Sequence, residues 1–90
     1  MYDTIIELSV RNHPGVMSHI TGLFSRRAFN LEGIVCAPAG DGSRSRMVLL
    51  VNQNHRLDQM IKQIEKLYDV LSVSVQEDSD PTKYRWLYER

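Results

Sequence analysis

Hydrophobic and polar residues alternate along the first stretch of the chain, residues 4 to 11. Ile6, Leu8 and Val10 fall on one side of an extended segment and polar residues on the other, which is typical of a strand with one buried face. After Gly15 the spacing becomes helical. An apolar stripe at intervals of three and four predicts an amphipathic helix, with the members Val16, Met17, Ile20, Leu23, Phe24 and Ala28.

Strand character returns over residues 30 to 39, where Pro38 closes the segment. Residues 39 to 43 have the composition of a turn, and residues 45 to 51 form the most apolar strand of the chain. The apolar residues expected to anchor the first of these two strands are Leu31, Ile34 and Val35.

A second helix and a fourth strand complete the pattern. Residues 70 to 75 alternate again, with Leu71, Val73 and Val75 expected to face inward. The helix before them is predicted from a second apolar stripe, made of Leu57, Met60, Ile61, Ile64, Leu67 and Tyr68.

The order of elements is therefore β-α-β-β-α-β. Right-handed crossovers place the four strands in the order 2-3-1-4 with both helices on one face, so we expect an α+β, ferredoxin-like sandwich with an antiparallel sheet. The domain should cover residues 1–77. Residues 78–90 form a tail with several aromatic residues, which is a candidate docking segment.

Composition narrows the class of function. Eleven basic and eleven acidic residues give a formal charge of zero, which argues against nucleic-acid binding because phosphate neutralisation normally requires a basic excess. The single cysteine, Cys36, excludes an internal disulfide, favours a reducing compartment and is expected to be a small packed residue. No leader and no long apolar segment is evident, so we expect a cytoplasmic protein without a membrane partner.

Several functions hosted by this fold lack their residues here. The first and third strands carry no aromatic side chains on which RNA bases could stack. One cysteine cannot supply a Cys-x-x-Cys metal loop, and His13, His19 and His55 have no companions at ligand spacing, which favours surface or capping roles. No serine or cysteine has an identifiable base beside it, so we expect no catalysis by this chain.

The junction between the first strand and the first helix, "NHPGV", suggests binding instead. Asn12 can act near the helix N-cap, Pro14 fits the first helical position, and Gly15 permits close approach to the backbone. The N–H groups around residues 15 to 17 and the helix dipole would attract a carboxylate, and Val16 and Met17 would supply an apolar wall. This combination suits a small aliphatic amino acid. The same segment also makes a good helix start with no ligand.

The segment "RNHPGVMSHITGLFSRRAFNLEGIVCAP" closely resembles the ACT domain of small regulatory subunits of acetohydroxyacid synthase (acetolactate synthase). The resemblance rests on "NHPGV", "GLFSRRAFNLEGI", the "SRM" entry to the third strand and "LDQMIKQIEKL.DVLSV", and it covers roughly residues 4 to 77. Longer family members carry a second domain, so the chain looks like the short form.

The resemblance implies a non-catalytic subunit that activates a catalytic large subunit. It also implies that this chain makes the large subunit subject to feedback inhibition by L-valine. That partner condenses two 2-ketoacids with thiamine diphosphate, Mg²⁺ and FAD, so no cofactor is expected in this chain. By resemblance, Asn12 and Gly15 hold the valine carboxylate with backbone from Val16 and Met17. His13 and Pro14 occupy variable loop positions, and Asn30 and Ile34 of a partner subunit complete the site.

Topology agrees with a site shared between subunits. Asn12 follows the first strand, whereas Asn30 begins the second, which runs parallel to it, so strands of six residues separate them by about 20 Å. The second strand is an edge, limited at one end by Pro38, and two copies pairing there would form a homodimer with two equivalent sites. Candidate docking surfaces for the large subunit are the tail at Tyr84–Tyr88 and the polar outer sheet face, with Glu7, Ser9, Arg11, Ser72 and Ser74.

Two alternatives stay open from the sequence. One is a stand-alone, amino-acid-sensing ACT protein that regulates another enzyme. The other is a small enzyme of the same fold resembling acylphosphatases, which would need a loop arginine that "NHPGV" lacks beyond Arg11.

Overall fold

The computed structural model describes residues 2–77 together with Tyr84 and Leu87. The predicted α+β order is confirmed, and the four strands form one antiparallel sheet in the order β2-β3-β1-β4. The elements are β1 (Thr4–Arg11), α1 (Val16–Arg26), β2 (Gly33–Ala39), β3 (Arg44–Val51), α2 (Leu57–Glu65) and β4 (Val70–Glu77).

The main core lies between the helices and one face of the sheet. In the β1–β3 register Ile6 stands opposite Leu49 and Leu8 opposite Met47, so alternate residues of both central strands point at the helices. This confirms the inward residues predicted for β1. The buried cluster consists of Ile6, Leu8, Val10, Val16, Ile20, Leu23, Phe24, Phe29, Met47, Leu49, Val51, Leu57, Met60 and Ile64.

The other face of the sheet is half apolar and half polar. At one end Ile5, Val48 and Leu50 form a second buried cluster with Tyr2, and Tyr84 and Leu87 pack against it. This packing was not expected from a face predicted to be polar. At the opposite end the polar prediction holds, with a shallow groove lined by residues that include Glu7, Ser9, Arg46, Ser72 and Ser74. The rest of the 78–90 tail lies outside the described residues.

The prediction that they belong to an apolar helical stripe is wrong for three residues. α1 ends at Arg26, and Ala28 follows it as an exposed residue with φ +53°. Met17 is 39% exposed because it lies in the first turn, away from the core face. α2 ends at Glu65, so Tyr68 lies in the turn after it and is 79% exposed.

The edge strands also depart from expectation. β4 has a bulge where the pairing moves from Ser9–Ser72 to Val10–Val70, which leaves Leu71 outside the ladder and 42% exposed. Val75 keeps its register but is 45% exposed, and of the three predicted inward residues only Val73 packs against the core. Cys36 is exposed rather than packed, although it pairs with Met47 on the helix-facing side of the sheet, and it lies on the edge strand β2.

Neither α1 nor α2, the helices within the described residues, has the length and apolar character needed to cross a lipid bilayer.

Candidate functional site

The loop between β1 and α1, residues 12–15, is called the glycine loop below. Its last residue, Gly15, is the N-cap of α1 with φ +90°, and its carbonyl accepts the first helical hydrogen bond from the His19 N–H at 3.0 Å. The Val16 N–H donates back to the His13 carbonyl at 3.3 Å. Pro14 therefore precedes the N-cap, and its predicted place at the first helical position is wrong.

Asn12 fixes the start of the glycine loop and does not cap the helix. Its backbone N–H donates to the Ser43 carbonyl at 3.0 Å, and its side-chain Nδ2 donates to the Gly42 carbonyl at 2.8 Å. Both acceptors belong to the turn between β2 and β3. Asn12 was expected to act near the helix N-cap, but it anchors the loop to this turn instead. The N-cap is Gly15, and no side chain caps the helix.

Gly15 faces open space. A Cβ atom built on this residue would meet no heavy atom within 4 Å, so its surroundings leave room for a side chain. The requirement for glycine comes from the left-handed backbone, which residues with a Cβ adopt only at a penalty. A molecule can therefore approach the first turn of α1 directly. Beside it, Val16 turns its side chain into the core, whereas Met17 remains exposed and is the apolar residue of this pair that a ligand could touch.

Three side chains from three elements meet behind the glycine loop and form the cluster His13–Asp69–His19. Asp69, in the turn between α2 and β4, is only 5% exposed. One of its carboxylate oxygens accepts a hydrogen bond from Nε2 of His13, and the other accepts one from Nδ1 of His19 on α1 at 2.8 Å. His13 and His19, expected to have surface or capping roles, thus share an acidic partner that their spacing in the sequence did not indicate.

The geometry at His13 determines its charge. Its Nδ1 contacts the Pro14 carbonyl oxygen at 2.7 Å while Nε2 contacts the carboxylate, and both partners are acceptors. Only the imidazolium form has an N–H on each nitrogen to satisfy both. Consistently, the hydrogen bond to Asp69, followed by that to the Pro14 carbonyl, raises the pKa of His13 above 6.5. The bonds from His13 and His19 lower the pKa of Asp69 below its usual value.

The cluster borders an open groove of about 550 Å³, whose lining also includes Ser18, Arg26, Leu67 and Tyr68. The turn that carries Asp69 is fixed to β1, because the Arg11 N–H donates to the Asp69 carbonyl at 2.8 Å and the Arg11 guanidinium lies 4.6 Å from the centroid of the Tyr68 ring. Among the side chains that the structure describes, no three His, Cys, Asp or Glu groups are arranged to hold a metal ion.

Sequence reasoning missed Asp69. It lies inside the quoted "L.DVLSV" segment, but it is 56 positions from His13 and has no local spacing that links it to a histidine. Only the return of the chain after α2 brings the two residues together.

The remaining two candidate residues lie at the other end of the sheet. Asn30 donates from Nδ2 to Glu32 Oε1 at 3.0 Å, just before β2, and Ile34 is half-buried near the start of that strand. β2 then runs for seven residues before its last residue, Ala39, reaches the Arg44 end beside the glycine loop. This separation is about 20 Å. One chain brings Asn12, His13, Pro14, Gly15, Val16 and Met17 together and leaves Asn30 and Ile34 apart from them.

Residues 6–72 match the model of the family described as the AHAS small subunit-like ACT domain. The chain is 57% identical over 82 residues to the acetolactate synthase isozyme 1 small subunit of Escherichia coli (strain K12), a match that covers 91% of this chain and 84% of that protein. It is 41% identical over 70 residues to the acetolactate synthase small subunit of Haemophilus influenzae, covering 77% of this chain but 43% of that longer relative.

Solved structures agree with these matches. The crystal structure of the acetolactate synthase small subunit from Thermotoga maritima superposes with a TM-score of 0.76 at 30% identity, over 88% of this chain and 50% of that one. The regulatory subunit of aspartate kinase from Thermus thermophilus has a TM-score of 0.67 at 15% identity, over 86% of this chain and 51% of that one, and supports the fold alone. With its sheet order, its glycine loop and these matches, the chain belongs to the ACT-domain family of acetolactate synthase small subunits.

Proposed function

We propose that this chain is a non-catalytic regulatory subunit that binds L-valine and thereby activates or feedback-regulates the catalytic subunit of acetolactate synthase. The observation that carries the proposal is the open space in front of Gly15. This residue adopts the left-handed conformation, no atom occupies the position of a side chain, and the first turn of α1 is therefore open to solvent. The named relatives, which are small subunits of acetolactate synthase, support the choice of partner enzyme.

The carboxylate of the amino acid would occupy the space in front of Gly15. The first N–H groups of a helix lack intrahelical acceptors, and the positive end of the helix dipole favours an anion there. Asn12 uses its amide nitrogen on the Gly42 carbonyl, but an amide group has two N–H donors, so the second can reach a ligand. The exposed Met17 side chain would contact the aliphatic part of the ligand.

The second half of the site would come from another copy of the chain. Asn30 and Ile34 lie at the far end of β2, which is an edge of the sheet. A two-fold axis perpendicular to β2 at this edge would pair the two β2 strands antiparallel. The start of one β2 would then lie beside the glycine loop of the other, which would create two equivalent sites. The exposure of Cys36 and Ala37 on β2 leaves that edge accessible for pairing.

Regulation would follow from linkage. Valine between two subunits favours one relative arrangement of them, and the catalytic subunit would respond to that arrangement with a coupling free energy of about 1–3 kcal/mol. The chemistry, with thiamine diphosphate, Mg²⁺ and FAD, would belong to the catalytic subunit. The polar half of the outer sheet face, where Arg46 donates to Glu7 at 3.1 Å, is a proposed docking surface for it.

The test is a calorimetric titration of the purified chain with L-valine. Gly15→Asp places a carboxylate where the ligand carboxylate should bind, and Gly15→Asn is its matched control with nearly the same size and backbone demand but no charge. We expect saturable binding to the wild type, weaker binding to Gly15→Asn and none to Gly15→Asp. No binding to the folded wild type would contradict the proposal.

The second candidate is a stand-alone amino-acid-sensing ACT protein that regulates another enzyme. The same site supports it, and reconstitution distinguishes the two. Adding the chain to an acetolactate synthase catalytic subunit should raise its turnover and make it responsive to valine; valine binding without any effect on that subunit would favour the stand-alone protein.

A further inference from the structure

The glycine loop is held at its first two residues by groups that are distant in sequence. Asn12 bonds the turn between β2 and β3, and His13 bonds Asp69 in the turn between α2 and β4. Gly15, at the other end of the loop, is bonded through its carbonyl to the His19 N–H of α1. The path of the loop from β1 to this N-cap therefore depends on the two anchors at Asn12 and His13, of which one is a titratable pair.

His13 connects the loop internally as well. Its Nδ1 bonds the carbonyl of Pro14, the residue before Gly15, at 2.7 Å, while its Nε2 bonds Asp69. Loss of one ring proton leaves a single N–H for two acceptors, so either the bond to Asp69 or the bond to Pro14 must be lost. His19 cannot substitute, because its Nδ1 is already directed at the second oxygen of Asp69.

The other charged groups around His13 leave this response intact. Arg11 on β1 opposes protonation of His13 through its charge, but the carboxylate of Asp69 is in direct contact and outweighs it. On α1, His19 bonds the same carboxylate, and Arg26 lines the same groove. Asp69 is thus the one acidic side chain of this cluster, and its burial strengthens its hold on both histidines.

We propose that the His13–Asp69–His19 cluster is a proton-dependent latch that fixes the conformation of the glycine loop. Protonated His13 ties Pro14 to Asp69 and presents the first turn of α1 to a ligand; neutral His13 releases one of these bonds and loosens the loop. As a consequence, and here the inference rests on the proposed function, affinity for an amino-acid effector falls as pH rises through the titration of His13.

The first experiment needs no effector. In the labelled full chain, NMR follows the His13 ring and the Gly15 amide across roughly pH 5 to 9, the range in which histidines titrate. We expect His13 to titrate above 6.5 and the Gly15 amide to shift with the same midpoint. In Asp69→Asn the His13 midpoint should move down. A His13 midpoint at or below 6.5, or a Gly15 amide that ignores it, would overturn the latch.

The second experiment measures L-valine affinity by calorimetry across the same range. Above the His13 midpoint the affinity should fall by up to about tenfold per pH unit. His13→Gln, whose amide can donate to Asp69 without titrating, should remove the dependence, and His55→Gln should retain it. A valine affinity that does not change with pH while His13 titrates would overturn the proposed coupling between the latch and effector binding. Absence of binding at every pH would contradict the proposed function, whereas the NMR titration decides on the latch independently.

Discussion

His13 in the glycine loop donates a hydrogen bond to Asp69, a buried carboxylate 56 positions further along the chain. The pair joins the start of α1 to the turn that leads into the last strand. Since His19 on α1 bonds the same carboxylate, removing Asp69 withdraws an acceptor from two histidines at once.

Asp69→Asn should reduce stability only within a limited pH range. The raised pKa of His13 means that its contribution is present below 6.5 and is lost as pH rises through the folded-state value. The lowered pKa of Asp69 means that its contribution is present above 3.8 and is lost as pH falls through the folded-state value. Thermal unfolding should therefore separate the variant from wild type most between about pH 4 and 6.5, and a constant difference at all pH values would be inconsistent with this account.

Gly15→Ala isolates the backbone conformation at the N-cap. The added methyl group meets no neighbour, so the change should act through the left-handed conformation alone and destabilise the fold by about 1–3 kcal/mol. Urea unfolding measures this. Gly15→Asn, which tolerates that conformation better, should lose less, and equal losses for Ala and Asn would argue against backbone strain as the cause.

Leu49→Ala and Leu71→Ala should differ sharply although both truncate a strand leucine. Leu49 is fully buried between the helices and the sheet, so its truncation should destabilise the fold by about 2–5 kcal/mol. Leu71 projects from the β4 bulge and is 42% exposed, so its loss should stay within about 0.5 kcal/mol. Denaturant midpoints with an unchanged slope would report both values; a large loss at Leu71 would mean that another surface covers it.

Cys36→Glu should disrupt the proposed dimer. The residue is exposed on the β2 edge, and a dimer through that edge would bring two introduced carboxylates close together. Like charges that face each other at an interface destabilise it by several kcal/mol. Sedimentation should therefore show a dimer dissociation constant raised by more than about tenfold. Leu71→Glu, on the opposite edge strand, is the matched control and should leave the dimer intact; the reverse pattern would place the interface at β4.

The sequence carried enough information for the order of elements and the two central strands, because Ile6, Leu8 and Leu49 alternate with the period of a strand over a single core. The hydrophobic pattern predicted the wrong environment for Leu71 and Tyr68. In the structure a bulge interrupts β4 at Leu71, and α2 ends before Tyr68, although the apolar spacing in the sequence continues through both. The close approach that Gly15 permits could be predicted from the residue type, but its left-handed N-cap conformation could not, because Pro14 was expected to begin the helix. Asp69 could not be assigned a partner, because its contact with His13 exists only after the chain has folded back.

Each proposed valine site combines the glycine loop of one subunit with Asn30 of another. The direct measurement mixes Gly15→Asp with Asn30→Ala, unfolds and refolds them together, and titrates L-valine by calorimetry. Each variant alone should fail to bind, whereas every mixed dimer should hold one intact site, so the mixture should recover about a quarter of the wild-type sites. No recovery in a mixture verified to contain mixed dimers would contradict a shared site and place valine recognition within one chain.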